Sequence, residues 1–150
     1  MTTRRALSWL LFLGVGCVLG YAGWLKFADP DAFLSSVRTF ELFPATLASA
    51  IVVFVPILEM ALGVSLATGV LRGGATLLSS LLLLAFIALV AQSRMRGLAI
   101  DCGCFGSRVV ESDYEYAWKL GENMALLVAL WAAAWLEASS RAFSRKGKNG

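Results

Sequence analysis

Four stretches of the chain are almost wholly apolar, and polar residues gather in the segments between them. The apolar stretches are 6–25, 45–71, 75–92 and 120–136. Each is close to the roughly 20 residues that a helix needs to cross the hydrocarbon core of a bilayer. The pattern predicts an all-α integral membrane protein: one bundle of four transmembrane helices over residues 1–140, followed by a basic disordered tail over 141–150.

Two of the polar connections carry more than a loop. In "FADPDAFLSSVRTFELFP", Asp29 can cap a helix that has Pro30 in its first turn, and Phe33, Val37 and Phe40 then share one face. This predicts a short amphipathic helix in the membrane interface after the first span. Ser112 and Glu115 have the spacing of a capping box, so the last helix is expected to begin near Asp113. Tyr114, Tyr116 and Trp118 then stand at headgroup depth as an aromatic belt.

Composition agrees with this picture. Of 150 residues, 59% are hydrophobic and 15% charged, against about 25% charged in a soluble domain. The net charge of +3 is what membrane orientation requires and carries no nucleic-acid meaning. Histidine is absent, which excludes Cys/His zinc sites, histidine proton relays and Ser/His/Asp triads. With both termini cytoplasmic, that side holds seven basic residues and the other holds six. The basic groups near the termini are poorly balanced by acids, which favours this orientation in the cytoplasmic (inner) membrane. The first apolar run follows "TTRR", but it exceeds the 7–15-residue core of a cleavable signal. Gly14 stands where a lipoprotein cleavage box has leucine. A retained first span is therefore expected.

The candidate chemistry lies in "DCGCFG", between the third and fourth spans. A disulfide needs its α-carbons about 4.4–6.8 Å apart, so closing Cys102 to Cys104 requires the tight turn that Gly103, lacking a β-carbon, permits. The small ring is strained, and strained, exposed disulfides are the exchanging kind. Arg94, Arg96 and Arg108 favour a thiolate, while Asp101 disfavours one on its neighbour Cys102. The plainer alternative is a pair of inert small residues in a turn. Another is copper(I) carriage by paired thiolates, with Met95 as the nearest added soft ligand.

"DCGCFG", with "GYAGWLKFADPDAF", "ELFP" and "VPILEMALGVSLATG", resembles the MauE branch of the DoxX-like membrane proteins, named for methylamine utilisation. The likeness runs from about Gly20 through Gly106 and weakly into the last helix. Its most specific parts are Cys102-Gly103-Cys104-Phe105-Gly106 and the Pro-x-x-Glu-x-x-x-Gly pattern of Pro56, Glu59 and Gly63. The resemblance implies a redox-associated four-helix membrane protein. Its implied partner is an extracytoplasmic thioredoxin-like protein, in methylamine dehydrogenase maturation or another disulfide pathway. Family members often open the last helix with an Arg-Asn pair. Glu122-Asn123 stands here, so no charge-pair role is carried to that position.

The expected site is therefore Cys102 and Cys104, supported by Asp101, Gly103, Phe105, Gly106 and Arg108, with Glu59 as an intramembrane polar residue. No cofactor motif or metal cluster is visible. One cysteine pair cannot carry electrons through a bilayer, so a quinone, a second protein or Cys17 would have to complete the path. The rival to disulfide exchange is a non-catalytic membrane subunit that anchors an assembly. Glu59, at bilayer depth, is either functional or a neutral acid joining helices by hydrogen bonds; a cationic partner would require Lys26 to reach inward from the end of the first span. Gly16 and Gly20 form a close-packing motif that leaves Cys17 between them as an expected buried small residue.

Overall fold

The computed structural model describes the backbone of residues 3–39, 44–96 and 113–146, and side chains within these except at 113–116 and 141–146. Five helices follow in order: α1 (Thr3–Ala28), α2 (Pro30–Thr39), α3 (Ala45–Thr68), α4 (Arg72–Arg96) and α5 (Asp113–Lys146). Among the described residues there is no strand. α1, α3, α4 and the 117–140 part of α5 are long and apolar enough to span a membrane. The outward side chains agree: Leu10, Phe54, Val64, Leu81 and Trp131 are exposed on the bundle's outside. So continuous an apolar surface is stable against lipid and would aggregate in water. The chain is a multi-pass membrane protein.

The helix ends follow local chemistry. The backbone amide of Ala32 donates to Asp29 Oδ1 at 3.0 Å, capping α2. α3 ends where Gly69 takes φ +86°, and its N–H donates to the Ser65 carbonyl. α5 begins at Asp113 and runs through Lys146, so its last turns include residues that the hydropathy pattern gives to a tail.

α1 and α3 are antiparallel and form the tightest interface, α1 also packs on α5, and α4 completes the ring by touching α3 and α5. α1 and α4 therefore face each other diagonally, with their side chains meeting along the bundle axis. The apolar core comprises Phe12, Val15, Leu19, Leu62, Leu66, Leu83 and Leu130. Lipid tails are as apolar as leucine, so association rests on close packing and polar links. Close packing is provided where Gly16 and Gly20 meet Gly63: a Cβ on Gly63 would lie 2.6 Å from the Gly16 carbonyl oxygen and 2.8 Å from the Gly20 nitrogen. A polar link joins α1 to α5, where Ser8 Oγ donates to the Ala133 carbonyl at 2.9 Å. α2 turns Phe33 and Val37 onto Ala48, Ile51, Val52 and Val55 of α3, so its apolar face covers the bundle. Its outer face carries Asp31, Ser35 and Arg38.

Candidate functional site

Lys26 Nζ donates to Glu59 Oε1 at 3.0 Å and to Oε2 at 2.8 Å. Both side chains are 1% exposed. The pair forms because of how side chains leave a helix: each Cα–Cβ bond tilts toward the helix N-terminus. Lys26 stands near the C-terminal end of α1, so its stem runs back into the bundle. Glu59, on the antiparallel α3, leans the opposite way. The two groups converge.

Gly23, one turn before Lys26, provides the room. A Cβ there would lie 2.8 Å from the Pro56 carbonyl oxygen and 3.0 Å from both Glu59 Cβ and Met60 Cγ. Any side chain at position 23 would push α3 away and open the ion pair. The ammonium is also covered by two aromatic rings, Phe86 of α4 with its centroid at 5.2 Å and Phe33 of α2 at 5.7 Å. Cation–π attraction at this range is worth up to about 2 kcal/mol where water is excluded. Lys26 thus joins α1, α2, α3 and α4 at one point. With two hydrogen bonds to the carboxylate and rings on two sides, the pair is a closed polar link rather than an open reaction centre.

Of the expected site residues, Glu59 lies in this link, and the cation it required is Lys26, reaching inward. Lys26 itself was missing from the expected site. A signal for it exists in the sequence: Phe12, Val15, Leu19, Ala22 and Lys26 recur at helical spacing along one buried stripe of α1. Asp101, Cys102, Gly103, Cys104, Phe105, Gly106 and Arg108 lie outside the described residues.

Cys17 is corrected. It is exposed on the outside of the bundle, because Gly16 faces α3 and the next residue of a helix is turned by about 100°. It remains more than two helical turns from Lys26, at about 1.5 Å of rise per residue. At the start of α5, Trp118 Nε1 donates to Glu122 Oε1 at 2.8 Å and Asn123 donates to the carbonyl of Lys119. Among the described residues, no three Cys, Asp or Glu side chains converge as metal ligands would.

α4 ends, and α5 begins, at the end of the bundle where α1 terminates and α2 lies. This follows from the helix directions: α1 and α4 run one way, α3 and α5 the other.

The family described as "Methylamine utilisation protein MauE" matches residues 4–136. The methylamine utilization protein MauE of Methylorubrum extorquens is 33% identical over 121 residues, covering 79% of this chain and 63% of that protein. The protein of the same name from Paracoccus denitrificans is 31% identical over 98 residues, covering 65% of this chain and 53% of that protein. The chain therefore spans a little over half the length of these curated relatives. No solved structure matches it. With nearly the whole of its helical bundle inside the matched region, the chain belongs to the MauE family.

Proposed function

We propose that this protein is a membrane-held thiol–disulfide exchange component. It presents Cys102 and Cys104 on the extracytoplasmic side and supports maturation of partner proteins in methylamine use, such as methylamine dehydrogenase. The observation that carries this reading is the Cys102-Gly103-Cys104 pair in the connection between α4 and α5. The relatives' names supply the methylamine context.

Charge supports the orientation. The bundle end that holds the α1 N-terminus, the α3–α4 turn and the α5 C-terminus carries seven of the 13 basic residues and one of the ten acids, Glu137. The cysteine end carries the other six basic residues and nine acids. Anionic headgroups of the cytoplasmic leaflet attract the first end. The second then faces the compartment where disulfides persist.

The exchange balances as two displacements. Cys104 is the nucleophile, because Asp101 disfavours a thiolate on adjoining Cys102 and Arg108 is closer in sequence to Cys104. Its thiolate attacks a disulfide of a thioredoxin-like partner, forming a mixed disulfide and freeing one partner thiolate. The Cys102 thiolate then displaces the second partner sulfur. The products are a Cys102–Cys104 disulfide and a partner dithiol, and two electrons have passed to the partner. The reverse sequence oxidises the partner, and the relative potentials of the two pairs set the direction. The Lys26–Glu59 link fixes the helices at the end from which the loop leaves.

Trapping tests the reading. Cys102→Ser removes the resolving thiol, so a partner should accumulate on Cys104 as a band that reductant abolishes on a non-reducing gel, and Cys104→Ser should trap less. If neither variant traps a partner and the double serine variant restores full methylamine-dependent growth to a deletion strain, disulfide exchange fails. The anchoring-subunit reading then replaces it.

A further inference from the structure

A second, half-buried cation lies at the opposite end of the bundle, and one of its donors, Arg72 Nε, is buried without a partner. Arg72 opens α4 directly after the turn at residues 69–71. Its side chain is 16% exposed. The guanidinium carbon lies 5.0 Å from the centre of the Phe12 ring. On its other side is Gly69, where an added Cβ would come within 3.2 Å of the guanidinium. The nearest carboxylate oxygen, Glu137 Oε1, is 3.6 Å away, too far for a hydrogen bond. Nε is buried and has no hydrogen-bond partner.

A guanidinium carries five N–H donors in a planar fork. Leaving the buried Nε–H unused is costly, because its lost hydration is not replaced. The surroundings indicate what replaces it. Ser8 lies against Ala133, and α1 and α5 are antiparallel, so Arg4 and Arg5 stand near the level of Glu137 and Arg72. Arg141, Arg145 and Lys146 occupy the next turns of α5. Glu137 is the one acid within this basic collar. Val70 and Leu71 beside Arg72 are 61% and 81% exposed, and apolar residues open at the end of a span favour the membrane–water boundary over water. At that depth the abundant acceptors are lipid phosphates, and basic pockets between transmembrane helices bind such headgroups.

We infer that Arg72 forms a binding site for the phosphate of an anionic phospholipid. Phe12 and Gly69 hold the guanidinium in place, and Arg4 and Arg5, near the same level on α1, add attraction. Arginine suits this role because its fork matches two phosphate oxygens at once. Glu137 competes with the lipid for the same cation. The site is independent of the cysteine loop and of the proposed exchange.

The test uses the full chain in phosphatidylcholine nanodiscs, with phosphatidylglycerol added stepwise and thermal unfolding followed by tryptophan fluorescence. Phosphatidylglycerol should raise the unfolding temperature. Inorganic phosphate at millimolar concentration should not, and an equal shift from it would overturn the lipid assignment in favour of a free anion. Arg72→Gln should weaken the apparent lipid affinity roughly tenfold or more, the loss expected when charge-assisted hydrogen bonds are removed. Arg4→Gln should keep most of the response, and an equal loss in both variants would reduce the effect to general attraction and overturn the site. If Arg72→Gln does not fold, Glu137→Gln decides: freeing the guanidinium from its competitor should enlarge the phosphatidylglycerol shift, and an unchanged or smaller shift overturns the proposal.

Discussion

Lys26→Met tests the ion pair most simply, since methionine keeps much of the lysine stem and removes only the charge. Glu59 then remains inside the bundle without its cation and without two hydrogen bonds of 3.0 and 2.8 Å. With both side chains 1% exposed, solvent does not screen the loss. Breaking one side of a buried pair costs about 3–5 kcal/mol. The lower end, about 3 kcal/mol, applies here because helices dispersed in detergent still find polar partners for Glu59. That corresponds to a folding constant more than 100-fold smaller. Glu59→Leu should lose a comparable amount, because it leaves the ammonium buried without its carboxylate. The double variant Lys26→Met/Glu59→Leu should recover most of the loss, since apolar replacement of a buried pair is neutral or stabilising. Reversible unfolding in mixed detergent micelles, followed by circular dichroism, gives all three values. Single losses below about 1 kcal/mol, or a double loss equal to the sum of the singles, would refute the coupling.

Two further perturbations follow from the same packing. Gly63→Ala should destabilise the protein by about 1–3 kcal/mol, the usual range for overpacking, because its Cβ meets the backbone of Gly16 and Gly20. Gly14→Ala, with nothing within 4 Å of its Cβ, should be neutral or slightly stabilising, and equal behaviour of the two in the same unfolding assay would contradict the α1–α3 contact. Phe33→Ala removes one of the two rings over the ammonium. Lys26 should then be acylated by a water-soluble amine reagent that leaves it unmodified in the native protein, as read by peptide mass spectrometry, and ready acylation of native Lys26 would contradict the closed link.

The four spans were legible because hydropathy reads directly what lipid requires of a helix, and α2 was legible from its Asp29 cap and the Phe33–Val37 spacing. The Lys26–Glu59 pair was legible only as one alternative, a lysine reaching inward from the end of the first span. Hydropathy weighs residues one at a time, whereas this pair depends on the antiparallel register of two helices and the opposite lean of their side chains. A lysine at the end of a span commonly turns outward to the headgroups, and the phase of Lys26 with Phe12, Leu19 and Ala22 is the sign that this one faces the bundle. Cys17 went astray for a related reason: the glycine pair Gly16 and Gly20 indicated packing, but a residue one position along faces elsewhere. α5 outlasts its apolar run because the alanines, arginines and lysine beyond Leu136 are good helix formers. Lipid limits the length of a span, not that of the helix.

The proposed function depends on where Cys102 and Cys104 stand and whether they form a labile disulfide. Both are read by one measurement in a Cys17→Ser background: a membrane-impermeant maleimide applied to intact cells, with and without prior mild reduction, and labelling scored on the isolated protein. The predicted result is labelling of the loop cysteines in intact cells that appears only after reduction. Labelling that requires the membrane to be opened, or that is equally strong without reductant, would contradict an extracytoplasmic exchanging disulfide.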